Sequence, residues 1–100
     1  MIGEALRLIR VYHDTKLVEL ANELDISVSF LSEVEKDKKK PSIELIDKYA
    51  SYFKLRSSAI MFFAEELNEK TLKGKAQNEI RMKMIKFMQL IEKYKTLEEK

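Results

Sequence analysis

The fold is decided by residues 17–35, whose sequence is LVELANELDISVSFLSEVE. Apolar residues in its first half recur with the three- and four-residue spacing of one helix face, at Leu17, Leu20, Ala21 and Leu24. This spacing predicts a helix over residues 16–24. Asp14 or Thr15 is expected to cap its first turn, since short oxygen-bearing side chains accept hydrogen bonds from the free N–H groups there.

Residues 25–27 join this helix to the next one. Asp-Ile-Ser is too short for anything but a tight turn, and Ser27 is a good N-cap for a third helix over residues 28–35. Ile26 is expected to hold the turn on the core, and Ala21 is small enough for a close helix crossing. Two short helices joined in this way make a helix-turn-helix, in which one helix braces a second that lies in the DNA major groove.

The flanking sequence adds three more helices to this pair. Periodic apolar positions predict them over residues 2–12, 43–54 and 59–68. Pro41 followed by Ser42 is typical of a helix start and precedes the second of the three. The chain has only two glycines and one proline, too few for the turns of a β-rich fold or for a Gly-rich nucleotide-binding loop. We therefore predict an all-α protein.

The composition also restricts the chemistry. The chain has no cysteine and a single histidine, His13, which excludes thiolate metal sites and a cysteine nucleophile. A histidine-based zinc site or a Ser-His-Asp triad would have to form around His13 alone. No nucleophile, base and metal set converges in the sequence. We therefore expect no enzyme activity, no cofactor and no metal, with His13 on the surface at a helix end.

Charge is distributed unevenly along the chain. Residues 1–69 carry 10 Lys and Arg against 13 Asp and Glu, whereas residues 70–100 carry 9 against 4. DNA binding by the first part would therefore depend on where its lysines lie rather than on its net charge. The longest apolar run, residues 59–64, is too short to span a bilayer, and the N-terminus lacks the order of a secretory signal. A soluble, cytoplasmic protein is expected.

Four segments together resemble the Cro/C1-type (XRE-family) helix-turn-helix domain. They are residues 2–10 (IGEALRLIR), 17–27, 30–35 and 41–42, in the order and spacing of that family. The resemblance implies a five-helix λ-repressor-like fold for residues 1–68, binding to double-stranded operator DNA, and a symmetric homodimer. It also implies transcription regulation, for which repression by occupying a promoter is the leading hypothesis.

The same resemblance assigns roles to individual residues. The positions that match base-reading sites are Val28, Ser29, Ser32 and Glu33. Phosphate contacts would come from Lys16 with the N–H groups of the second helix, and from the loop lysines Lys36, Lys38, Lys39 and Lys40. Arg10 and Glu35 match a pair that forms a salt bridge beneath the recognition helix and positions it.

Two aspartates depart from the family pattern. Asp25 and Asp37 stand at turn positions where the family commonly has glycine. Both positions often need a left-handed backbone, which Asp tolerates better than most residues. Both also place negative charge near DNA, which would weaken binding.

The last part of the chain is expected to contact another protein. Residues 69–77 are polar and are typical of a linker or helix break, and residues 78–100 predict a long amphipathic helix. Its apolar seam, with coiled-coil-like spacing, includes Ile80, Met84, Phe87, Met88, Ile91 and Tyr94. Self-association into a dimer that reads an inverted repeat is the first hypothesis. The alternative is an antitoxin-like interaction module, whose tail helix binds a partner protein while the helix-turn-helix autoregulates.

Overall fold

The computed structural model describes residues 2–70 and four single residues further along, Met82, Ile85, Lys86 and Gln89. Within these residues the secondary structure is helical and contains no strand. The five helices are α1 (Ile2–Tyr12), α2 (Leu17–Glu23), α3 (Val28–Glu35), α4 (Ile43–Phe53) and α5 (Ser57–Lys70). The prediction of an all-α, five-helix domain is confirmed for the part of the chain that the structure describes.

Serine side chains begin two of the helices, as predicted. The Ser27 hydroxyl accepts a hydrogen bond from the N–H of Phe30 at 3.1 Å, and the Ser42 hydroxyl accepts one from the N–H of Leu45 at 3.1 Å. Each bond satisfies one of the N–H groups that a first helical turn leaves without an intrahelical partner. These caps determine where α3 and α4 begin.

The expected cap of α2 is wrong. Its N-cap position is Lys16, whose side chain makes no capping hydrogen bond. Asp14 and Thr15 instead close α1, because their N–H groups donate to the carbonyls of Val11 and Arg10 at 2.9 and 3.2 Å. The N-cap position that Asp14 and Thr15 were expected to fill belongs to Lys16, and the Thr15 hydroxyl donates instead to the His13 carbonyl at 3.2 Å.

In the part of the chain that the structure describes, four helices end at a residue in the left-handed conformation. These residues are Asp14, Asp25, Asp37 and Lys54, with φ of 53°, 57°, 61° and 59°. After α3, the N–H of Asp37 donates to the carbonyl of Val34 at 3.0 Å and the N–H of Lys38 donates to that of Glu33 at 2.9 Å. This pair of bonds is the Schellman motif, and equivalent pairs end α1, α2 and α4. The left-handed conformation expected of the two aspartates at glycine positions is confirmed.

A single apolar core joins the helices. α1 packs against α3 and α5, α2 packs against α3, and α4 packs against α5. The most deeply buried side chains are Ala5, Leu6, Ile9, Leu20, Ala21, Leu31, Val34, Tyr49, Ile60, Phe63 and Leu67. Ala21 is fully buried and Ile26 is partly buried against the core, so the crossing and the turn of the helix-turn-helix are packed as predicted.

The start of α1 lies close to the end of α3. A side-chain carbon added at Gly3 would lie 2.1 Å from the carbonyl oxygen of Val34 and 2.7 Å from Oδ1 of Asp37. The Gly3 N–H donates to that same Oδ1 at 2.9 Å. Asp37 therefore ends one helix with its backbone and caps another with its carboxylate, at a helix N-terminus where negative charge is favourable.

The far end of the chain is described only in part. α5 begins two residues earlier and ends two residues later than the predicted helix over residues 59–68, and it exposes Met61 and Phe62. The predicted seam of the tail helix (Ile80, Met84, Phe87, Met88, Ile91 and Tyr94) lies outside the described residues, and so does most of the predicted linker. The tail hypothesis stays a prediction. No helix among the described residues is long and apolar enough to cross a membrane.

Candidate nucleic-acid interface

α3 divides its residues between two faces. Val28 and Ser29 are exposed and Ser32 and Glu33 are partly exposed, whereas Leu31 and Val34 are fully buried on the opposite side. With about 3.6 residues per turn, positions 28, 29, 32 and 33 share one side of a helix. We call these four residues the outer face of α3. It presents methyl groups, two hydroxyls and a carboxylate, all of which can contact the base edges of a major groove.

Arg10 and Glu35 form an ion pair on the inner side of α3. The Arg10 Nε lies 3.0 Å from both carboxylate oxygens of Glu35, and Nη2 lies 2.9 Å from Oε1. The remaining guanidinium nitrogen, Nη1, donates to the carbonyl of Thr15 at 2.9 Å. The two side chains are only 14% and 4% exposed. The pair thus joins α1, the loop before α2 and the last residue of α3 at one buried point.

A third side chain completes this cluster. The Tyr49 hydroxyl on α4 donates to Oε2 of Glu35 at 2.5 Å, and its side chain is fully buried. Burial, together with the hydrogen bond to Glu35 and the charge of that carboxylate, raises the pKa of Tyr49 well above its ordinary value. The phenol therefore stays protonated and remains a donor. In the described part of the chain, no buried side-chain nitrogen or oxygen lacks a hydrogen-bond partner.

The loop after α3 presents the expected phosphate-binding lysines. All four are exposed, namely Lys36, Lys38, Lys39 and Lys40. The N–H groups of Lys38 and Lys39 donate to the carbonyl of Glu33 at 2.9 and 3.3 Å, which folds the loop back on the last turn of α3. Lys16 is exposed in front of α2. The outer face of α3 therefore has four solvent-accessible lysines directly after it in the chain.

One of these lysines contacts the outer face itself. The Lys39 Nζ lies 3.8 Å from Oε2 of Glu33 and 5.7 Å from the centre of the Phe30 ring. Lys39 and Glu33 are each about half exposed, so their attraction is weak and screened by salt. A base or a phosphate could therefore replace either partner at little cost.

The structure also explains why an acidic residue is tolerated beside these lysines. The Asp37 carboxylate accepts the Gly3 N–H, whereas Asp25 is exposed in the turn between α2 and α3. At the preceding residue, the Leu24 carbonyl accepts a hydrogen bond from the Lys48 Nζ at 3.0 Å. Of the two aspartates expected to place negative charge near DNA, Asp37 thus also stabilises the start of α1.

His13 lies apart from this face. It is exposed at the end of α1, as expected, where its Nδ1 lies 2.7 Å from the Ile9 carbonyl and its ring lies 4.7 Å from that of Phe53. Among the described residues, no group of three or more His, Cys, Asp or Glu side chains is arranged to hold a metal ion.

The chain matches a known protein family. Residues 6–60, more than half of the chain, match a family described as helix-turn-helix. The matched range begins within α1, contains the whole of α2, α3 and α4, and ends within α5. No curated protein and no solved structure matches the chain.

Proposed function

Because the chain belongs to the Cro/C1-type (XRE) helix-turn-helix family of DNA-binding transcription regulators, we propose that it recognises a specific DNA sequence through α3. α3 lies in the major groove, and α2 crosses the phosphate backbone beside it. The observation that carries this proposal is the division of α3: its outer face is free for bases, while its inner side is held by the core and by Glu35.

The outer face reads bases by direct contact. Val28 packs against a thymine methyl group, and the hydroxyls of Ser29 and Ser32 donate to or accept from base edges. The Glu33 carboxylate accepts a hydrogen bond from a cytosine N4 amino group. This face has no Arg, Asn or Gln for bidentate contacts to guanine or adenine. DNA shape and deformability therefore supply part of the specificity.

The exposed lysines bind phosphates on both sides of the reading helix. Lys36, Lys38, Lys39 and Lys40 contact one strand after α3, and Lys16 contacts phosphate at the start of α2. Because acidic residues outnumber basic ones in residues 1–69, this local concentration of lysines carries the attraction to DNA. Each phosphate contact releases counterions, so binding weakens as salt rises.

The regulator acts as a homodimeric repressor on an inverted repeat. Two copies place their α3 helices in successive major grooves, about 34 Å apart, and block a promoter by occupying it. Light scattering at micromolar concentration tests the dimer, with the full chain compared to residues 1–70. We expect a dimeric full chain and a monomeric fragment. A monomeric full chain would contradict the dimer and leave only half-site recognition.

Selection from random duplex DNA tests sequence recognition. The wild-type chain is expected to enrich an inverted repeat, and Glu33→Gln is expected to change the preferred base at one position in each half-site. Glu65→Gln, the same charge change at an exposed position of α5, is the matched control and should leave the motif unchanged. A pool that is still random after selection with the wild type would contradict the proposal.

A further inference from the structure

Two neighbouring residues of α4 contact the carboxyl-terminal ends of both helices of the helix-turn-helix. The Lys48 Nζ donates to the carbonyl of Leu24, the residue after α2, and the Tyr49 hydroxyl donates to Glu35, the last residue of α3. α4 itself packs against α5. A helix outside the DNA-binding motif is therefore connected to it by specific side-chain hydrogen bonds.

We propose that Tyr49 is a positioning residue for DNA recognition, acting through Glu35 to set the orientation of α3. This inference rests on the proposed function and names a residue on which sequence-specific binding depends. Arg10 ties the end of α3 to α1, and Tyr49 ties the same carboxylate to α4. A helix end held from one side can pivot about that contact, whereas contacts from two different helices restrict the pivot.

The contacts at Glu35 divide between its two oxygens. Oε1 accepts from Nε and Nη2 of Arg10, whereas Oε2 accepts from Nε of Arg10 and from the Tyr49 hydroxyl. Glu35 is 4% exposed and Tyr49 is fully buried, so bulk water has little access to replace the phenol. A hydrogen bond to an ionised acceptor is stronger than one between neutral groups. Removing this hydroxyl therefore leaves the carboxylate free to turn towards Arg10 and to move the end of α3 with it.

Such a movement would reach the outer face of α3. Glu33 lies two residues before Glu35 on the same short helix, and the Lys39 contact with it depends on the same turn. Hydrogen bonds to base edges need close alignment, whereas lysine contacts to phosphate tolerate small displacements. The loss of the Tyr49 hydroxyl should consequently lower binding to the preferred sequence and leave binding to unrelated DNA nearly unchanged.

Tyr49→Phe tests the proposal, because it removes the hydroxyl and keeps the ring beside Phe53. Dissociation constants are measured by fluorescence anisotropy for the duplex selected by the wild type and for an unrelated duplex of equal length. Circular dichroism confirms that every variant is folded at the temperature used. We expect Kd for the selected duplex to rise about five- to tenfold, and Kd for the unrelated duplex to change by less than about twofold. Tyr52→Phe is the matched control: it removes a hydroxyl from the exposed tyrosine of the same helix and should change neither dissociation constant.

A stabilised background separates positioning from simple loss of stability. Lys54→Gly relieves a left-handed residue at the end of α4, far from the outer face in sequence, and is combined with Tyr49→Phe. The positioning role predicts that the double variant recovers melting temperature without recovering specificity. Recovery of specificity with stability would overturn the proposal, and so would equal weakening on both duplexes or no change on either. A wild-type chain that prefers no DNA sequence would contradict the proposed function itself. A wild-type preference that Tyr49→Phe leaves unchanged would contradict only the role of Tyr49.

Discussion

Replacing Arg10 by methionine is expected to lower the free energy of unfolding by about 3–5 kcal/mol, the cost of removing one partner from a buried ion pair. Methionine retains much of the aliphatic length of arginine, so the change removes the guanidinium with little loss of packing volume. The Glu35 carboxylate would then have lost its cationic partner at a site that is 4% exposed. Among the described residues, its one remaining hydrogen bond would come from the hydroxyl of Tyr49.

The structure supports a value in the upper part of this range. Arg10 contributes three contacts of 2.9–3.0 Å to the carboxylate, and a further 2.9 Å bond to the carbonyl of Thr15 is lost with it. A domain of this size has a total stability on the order of 3–10 kcal/mol. The predicted cost is comparable to that total, so a large fraction of the variant should be unfolded at 25 °C.

Arg7→Met is the matched control. The same substitution is made in the same helix, at a residue whose ion pair with Glu4 has the same N–O distance of 2.9 Å. That pair is 41% and 40% exposed, so its loss should cost less than about 1 kcal/mol. The comparison therefore separates the cost of losing a buried ion pair, together with the Thr15 bond of Arg10, from that of losing an exposed one.

Urea denaturation followed by circular dichroism measures the free energy of unfolding of both variants. If Arg10→Met is unfolded without denaturant, an osmolyte such as trimethylamine N-oxide is added to both samples. Adding Glu35→Gln to Arg10→Met removes the buried charge and should recover part of the lost stability. Equal shifts of the urea midpoint in Arg10→Met and Arg7→Met would contradict this expectation, and so would a further loss of stability when Glu35→Gln is added to Arg10→Met.

Four further predictions concern the backbone, pH and salt. Lys54→Gly should raise the free energy of unfolding by about 1 kcal/mol in thermal melts, because φ is 59° there, whereas Lys54→Ala keeps the strain and should give no gain. Gly3→Ala should lower stability by about 1–3 kcal/mol, because the added carbon would lie 2.1 Å from the Val34 carbonyl oxygen; an unchanged melting temperature would contradict the close approach. Folding raises the pKa of Tyr49, so its contribution is complete below about pH 10 and decreases above it by up to about 1.4 kcal/mol per pH unit. Urea titrations between about pH 9 and 11 should show this slope in the wild type and not in Tyr49→Phe, and equal slopes would refute it. Lys38→Ala should weaken binding to all duplexes and reduce the slope of log K against log salt by about 1, as measured by anisotropy at several KCl concentrations.

The sequence was sufficient to predict the features of the fold that depend on local chemistry. Ser27 and Ser42 cap the helices expected of them because an N-cap needs only a side-chain oxygen and the N–H groups of the following turn. The left-handed turns at Asp25 and Asp37 were likewise predictable, since few residue types other than glycine tolerate that backbone.

Features that depend on distant parts of the chain were missed. Tyr49 fits the apolar pattern of its helix, which indicates a core residue and nothing more, although its hydroxyl donates to a carboxylate on another helix. The Asp37 carboxylate caps a helix that begins 34 residues earlier, which no local pattern reveals. The hydroxyl of Tyr49 at an otherwise apolar position was the one indication of its contact in the sequence, because a buried hydroxyl needs a hydrogen-bond partner.

Because the two faces of α3 are separate, residues of its outer face can evolve with little effect on the stability of the fold. Val28, Ser29 and Ser32 contribute little to the core, so substitutions there should alter stability by less than about 0.5 kcal/mol. Under the proposed recognition of bases by this face, the preferred DNA sequence can therefore change one residue at a time, with every intermediate still folded. Arg10, Glu35 and Tyr49 are under the opposite constraint, because the Glu35 carboxylate accepts hydrogen bonds from both Arg10 and Tyr49 and a change at any of the three breaks this cluster. Duplicated copies of such a gene could acquire separate targets quickly while keeping one scaffold.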